Sequence, residues 1–232
     1  MTFPPIPGNH RPAHWNRLRA SRIVLFLLPA MLSAAAPGGS VRIEIRDPKG
    51  APVADAVASM VPLDWTPPLT PPADPVLITQ ENEEFSPYVT PVVAGTRVSF
   101  PNRDKVQHHV YSLSKPKQFD IPLYKGESPE SVVFDKPGVV TIGCNLHDWM
   151  SAHIVVLSTP HFAKSGAEGL VPLSTLAAGR YRLEVWHPRI GSTVTREVVI
   201  AADDTAAQVI AVTLRPDRRI RRAPETGAGG YK

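Results

Sequence analysis

The stretch Gly143-Cys144-Asn145-Leu146-His147-Asp148-Trp149-Met150 sets a thiol, an imidazole and a thioether at Cys-x2-His-x2-Met spacing. Cys144 is the one cysteine in 232 residues. Thiolate, imidazole and thioether are the soft donors that copper takes in electron-transfer sites. Such a site needs a second imidazole from elsewhere in the fold. Pro101-Asn-Arg-Asp-Lys-Val-Gln-His108-His109-Val110 offers two adjacent candidates. Neighbours on a strand point to opposite faces, so only one of His108 and His109 can face the metal. Two imidazoles and a thiolate in a near-trigonal plane, with a weak axial thioether, form a type 1 copper site. The expected ligands of one such copper ion are Cys144, His147, Met150 and either His108 or His109.

Each residue also has a plainer use. A buried cysteine is commonly a small hydrophobe, and a methionine usually fills core. A single histidine is more often structural. Those uses do not explain why Cys144, His147 and Met150 share seven positions when Met60 is the only other methionine beyond residue 35. Residues that orient ligands also tune the metal. The candidates for that role are Asn102, Asp104, His109 and Asn145, whose backbone N–H follows the thiolate. His153, His161, His187, Trp149 and Trp186 are expected to pack.

Strands must position these groups. Val41 to Arg46 alternates apolar and charged residues, as a half-buried strand does. Asp47-Pro-Lys-Gly50 is a turn by composition and order. A second strand is expected over Val53 to Val61, a proline-rich linker over 64–75, and a short strand from Val76 to Thr79. Gln80 to Phe85 is polar and reads as loop. Further strands are expected at Val89 to Val93, Thr96 to Phe100, Val106 to Ser112, Phe119 to Tyr124, Ser131 to Phe134, Val139 to Ile142 and His153 to Leu157. The ligand loop then joins two neighbouring strands. Thr159 to Gly169 reads as loop. Val171 to Leu173, Gly179 to Trp186, Thr193 to Ile200 and Ala207 to Leu214 read as strands without ligand residues. No stretch keeps a helical period, and 26 prolines suit loops and edge strands. The expected fold is all-β. A small sandwich from 41–63 and 159–214 encloses an inserted Greek-key sandwich or barrel at 76–158.

Residues 1–35 read as a secretory signal peptide. Arg11, Arg17, Arg19 and Arg22 precede the apolar run Ile23 to Leu32 and the small residues Ser33-Ala-Ala35. The run is short for a transmembrane helix, so no stable membrane insertion is expected once the signal is cleaved. The chain carries 25 Lys+Arg against 21 Asp+Glu, and removing those four arginines leaves 21 against 21. Six of the remaining 21 basic residues lie in the tail 215–232 (Arg215, Arg218, Arg219, Arg221, Arg222 and Lys232), which reads as disordered, and residues 36–214 are net −4. The basic pI is therefore no sign of a nucleic-acid partner. One cysteine in an exported chain has no internal disulfide partner, which favours a metal ligand.

The pattern Phe100-Pro-Asn-x-Asp104, His108-His-Val110 and Cys144-Asn-x-His147-Asp-Trp-Met150 resembles the cupredoxins. It is similar to plastocyanin-like members and to the group labelled methylamine utilization proteins, and the short ligand loop resembles that of amicyanin. The resemblance spans about 76–158. It implies that His108 is the ligand and that His109 stands where the family often has an asparagine bracing the ligand loop. The flanks resemble a carboxypeptidase-regulatory-like or transthyretin-like sandwich of Ig-like build, through Val41 to Met60 and Ala178-Gly-Arg-Tyr-Arg-Leu183. Lys164-Ser-Gly-Ala-Glu168 departs from that pattern.

The expected function is a periplasmic one-electron carrier whose copper cycles between Cu(I) and Cu(II). It would exchange electrons with a partner protein such as a cytochrome, dehydrogenase or oxidase. The alternatives are a copper delivery or storage module on the same residues, and a β-sandwich interaction protein without metal. An enzyme is not expected, because four protein ligands leave no open coordination position for substrate.

Overall fold

The computed structural model describes residues 38–217, with residues 1, 2 and 4 at the start of the chain. All but those three residues of the expected signal peptide, and the arginine run of the tail, lie outside the described residues. Seventeen strands follow in order: β1 (Gly39–Arg46), β2 (Val57–Pro62), β3 (Val76–Leu77), β4 (Thr79–Glu81), β5 (Glu84–Ser86), β6 (Val89–Val93), β7 (Thr96–Ser99), β8 (His108–Ser114), β9 (Lys117–Tyr124), β10 (Val132–Phe134), β11 (Gly138–Gly143), β12 (Ser151–Leu157), β13 (Phe162–Lys164), β14 (Leu170–Leu176), β15 (Gly179–Trp186), β16 (Val194–Ile200) and β17 (Thr205–Ala211). Among the described residues there is no helix.

The first and last strands make one sandwich. One sheet has the order β14-β1-β17 and the other β13-β2-β15-β16. Val41, Ile43 and Ile45 of β1 point inward, and Arg42, Glu44 and Arg46 point away. They meet Met60, Val171, Tyr181, Leu183 and Val185 in a common core. The turn after β1 is held by Asp47, whose Oδ1 accepts the N–H groups of Lys49 and Ala51, both at 2.8 Å. Gly50 closes it at φ +84°, a conformation glycine adopts without cost. Gly169, at φ +70°, lies where a Cβ would sit 2.5 Å from the Ile45 carbonyl oxygen.

The middle strands make a second sandwich. A five-stranded sheet has the order β6-β12-β11-β8-β9, and a three-stranded sheet the order β10-β7-β3. Ile78, Phe100, Val110, Phe134, Val140, Ile142 and Ile154 fill the core between them. Val57, Val89, Val155 and Leu157 form a seam between the two sandwiches, with Tyr88, Phe162 and Trp186 packed on it. Strand β2 therefore serves two layers: Ala58 and Met60 face the outer core, while Val57 joins the seam. Burial on both faces removes the alternation that marks β1.

Several strand ends shift by a few residues, and three segments differ further from the sequence reading. Residues 80–85, expected as loop, are most of the hairpin β4–β5. Loop 159–169 contains β13, which pairs with β2 through Phe162↔Ser59. The second strand begins at Val57 rather than Val53, because Asp55 takes φ 59°, outside the extended region.

Candidate metal centre

Strand β11 brings Cys144 to the site by simple parity. Val140 and Ile142 face the inner core, and Cys144, two residues on, continues that face and is 3% exposed. The loop then turns tightly, with the Met150 N–H donating to the His147 carbonyl at 2.9 Å. Chain direction reverses into β12, which pairs with β11 from Gly143↔Ser151 to Gly138↔Val156. Met150 is 2% exposed and belongs to the same buried cluster as Cys144.

Strand β8 neighbours β11 through Gly143↔Tyr111. His108, Val110 and Ser112 share its inward face, and His108 is fully buried. The Cys144 Sγ lies 4.0 Å from His108 Nδ1 and 3.8 Å from His147 Nδ1. The three donor atoms lie within 4.8 Å of one another. A metal with bonds of about 2.0 Å to nitrogen and 2.3 Å to sulfur, at trigonal angles, would hold N and S about 3.7 Å apart. The donor set and its separations therefore fit a small soft cation.

His109 has the opposite parity. Its ring pairs with Asp120 through Nε2 at 2.7 Å and stacks on Tyr111 with centroids 5.2 Å apart. Its backbone N–H, however, points at the Cys144 Sγ, 3.5 Å away. Asn145 is exposed on the loop. Tyr111 lies over Gly143, where a Cβ would meet its ring at 3.3 Å.

The far nitrogens of both clustered imidazoles face carboxylates. His108 Nε2 donates to Asp104 Oδ2 at 2.7 Å. His147 Nε2 lies 3.8 Å from Glu83 Oε2. Asp104 also accepts the backbone N–H groups of Asn82 at 2.7 Å and Glu83 at 2.9 Å. Burial pushes the Asp104 carboxyl up, but the Glu83 N–H, the His108 ring and the Asn82 N–H outweigh it and hold it below the ordinary carboxylate value. Asn102 fixes the approach: its Oδ1 accepts the Asp104 N–H, and its Nδ2 donates to the carbonyls of Val106 and Tyr124, all at 2.9 Å.

Below the site, Gln80 Nε2 donates to the Tyr124 hydroxyl at 2.6 Å, and that hydroxyl donates to the Phe100 carbonyl. Burial, reinforced by the nearby Cys144 charge, pushes the Tyr124 phenol up to about 12 against the opposing Gln80 and Ser128 hydrogen bonds. The rings of His108 and His147 meet edge to face at 4.9 Å, and Trp149 packs 5.2 Å from His147. His153 lies between Tyr88 and Trp186, and His161 between Trp65 and Tyr181.

Glu83, Gln80 and Tyr124 were not singled out by sequence. Asn82-Glu83 between two short segments did carry a signal, since asparagine tolerates the left-handed turns that close two-residue hairpins. The structure has Asn82 at φ 55° and Glu83 at φ 56°.

No protein-family model and no curated protein matches the chain. Among solved structures, it is similar to a purple cupredoxin from Nitrosopumilus maritimus (23% identity, TM-score 0.32, 35% of this chain and 99% of that chain). It is also similar to a copper-containing nitrite reductase from Thermus scotoductus (24% identity, TM-score 0.36, 42% of this chain and 25% of that chain). A third is amicyanin from Paracoccus versutus (19% identity, TM-score 0.32, 37% of this chain and 84% of that chain). At these identities and scores, the chemical reading rests on the chain's own donor set.

Proposed function

We propose that the chain is a type 1 copper protein that carries single electrons. The observation that supports this reading is the trio His108, Cys144 and His147, the first two buried and the third half-buried, with separations suited to one trigonal cation. His108 and His147 would bind through Nδ1, Cys144 through its thiolate, and Met150 would be the axial thioether. Copper bound there would cycle between Cu(I) and Cu(II), and a geometry suited to both keeps reorganisation small.

The chain's own residues account for the rest. The Asp104 carboxylate holds the His108 Nε2 proton, so the Nδ1 lone pair faces the thiol. The His109 N–H offers the sulfur a hydrogen bond, which stabilises a thiolate. The inner core and Met150 keep water from the buried side. An exported, periplasmic setting and a redox partner protein complete the proposal, and no substrate turnover is part of it.

The test is an optical and spin-resonance spectrum of the chain with Cu(II), together with its voltammetry. An intense thiolate charge-transfer band and a reversible wave are expected. Both should vanish in Cys144→Ser and His108→Ala and survive in His109→Ala. A colourless protein that does not cycle ends this reading.

A further inference from the structure

The two imidazoles of the cluster come from different places in the chain, one at the start of β8 and one on the loop after β11. Their outer nitrogens nevertheless converge on one short element. His108 Nε2 reaches Asp104, and Asp104 is held by the N–H groups of Asn82 and Glu83. His147 Nε2 faces the side chain of Glu83 at 3.8 Å. Asn82 and Glu83 are the two left-handed residues between β4 and β5. The hairpin is itself fixed: Thr79↔Ser86 and Glu81↔Glu84 pair across it, Gln80 is anchored below to Phe100 and Tyr124, and Phe85 enters the inner core.

We propose that the Asn82–Glu83 turn sets the orientation and tautomer of both imidazoles, with Glu83 the positioning residue for His147. In a neutral imidazole one nitrogen carries the proton and the other the lone pair. A carboxylate facing Nε2 stabilises the proton there and leaves Nδ1 free to bind. Asp104 does this for His108 by a hydrogen bond, and Glu83 does it for His147 through space. The backbone of the turn fixes Asp104 and its one acidic side chain acts on His147, so a single rigid hairpin preorganises both nitrogen donors before metal arrives. Its negative charge also favours the more highly charged Cu(II) over Cu(I). That part rests on the copper reading above, whereas the tautomer part does not.

The experiment uses the 15N-histidine-labelled chain in two forms. In the metal-free form, His108 and His147 are both expected as Nε2–H tautomers. Glu83→Ala should leave His108 unchanged and move His147 to a mixture. Glu83→Gln, which removes the charge that acts through space, should move His147 in the same direction as Glu83→Ala. With copper, Glu83→Ala should lower Cu(II) affinity about ten-fold or more and Cu(I) affinity less, while Glu83→Gln keeps the shift in that ratio. An Nδ1–H tautomer at His147 in the wild type overturns the proposal. So does a Glu83→Ala protein with unchanged tautomer and unchanged Cu(II)/Cu(I) ratio. A wild-type chain that takes up no copper refutes the electron-carrier reading, and the metal-free tautomers still decide the clamp.

Discussion

Replacing Asp104 by alanine should destabilise the metal-free protein by about 3 kcal/mol. Its carboxylate is 14% exposed in the side chain and accepts three hydrogen bonds, from His108 Nε2, Asn82 N and Glu83 N. A hydrogen bond to a charged group contributes about 1.5–3 kcal/mol when dry and less at the surface. The His108 ring is fully buried while the Asp104 carboxylate is partly exposed, so its bond belongs within that range rather than at its top. Asn82 is exposed, so water replaces much of what its N–H loses. Counting about 2 kcal/mol for the imidazole and about 0.5 kcal/mol for each turn N–H gives the total. Asp104→Asn keeps acceptor capacity on one side and should lose roughly half as much. The assay is urea unfolding of the metal-free chain, followed by tryptophan fluorescence. The midpoint should fall without a change in slope. Amide exchange at Asn82 and Glu83 should quicken in the variant while the core strands stay protected. An Asp104→Ala protein within about 0.5 kcal/mol of wild type would refute the reasoning, because that is the range of a surface substitution without partners.

Gly169→Ala should cost about 3 kcal/mol, since it combines a left-handed backbone with a Cβ 2.5 Å from the Ile45 carbonyl oxygen. A scan should show the melting temperature roughly 6–12 °C lower, and an unchanged melting curve would contradict the close approach of those backbones. Tyr124 predicts an alkaline limit. Its phenol is raised from 10.0 to about 12 in the folded chain, so its contribution is fully present below pH 10. As pH rises through the window from 10 to 12 the unfolded state ionises first, and about 1–2 kcal/mol is lost once solvent screening is allowed for. Tyr124→Phe should flatten that part of the pH–stability curve, and an identical fall in the variant would show that another group titrates there.

The all-β class was legible because β1, β15 and β16 alternate, and because glycine and aspartate mark their turns. Short polar strands were not legible. Thr79–Glu81, Glu84–Ser86 and Phe162–Lys164 carry too few apolar residues for any period to stand out. They become strands because partners are presented to them, as Ser59 is to Phe162. Strand β2 hides its face preference because both faces are covered. At the site, residue types and spacing picked out Cys144, His147 and Asp104, while strand parity required only that one of His108 and His109 face the cluster, without saying which. The geometry adds two things. The His109 N–H reaches the sulfur although its ring faces away, and backbone donors leave no mark in side-chain identity. Glu83 reaches His147 from across the fold, a contact that depends on how a distant hairpin docks.

Strands β1 and β2 find their partners only in β13 to β17, so the outer core closes late. Ser40 and Thr205, joined by their hydroxyls at 2.8 Å, are 165 positions apart. Pairings that distant must overcome a large loop-closure entropy and form slowly. During synthesis, at roughly 5–20 residues per second, Val41, Ile43 and Ile45 wait many seconds for the strands that cover them. The first strands to emerge cannot lock into a folded body before the last have been made. The nested order of strands thus keeps the outer sandwich open until nearly all of the chain has been made.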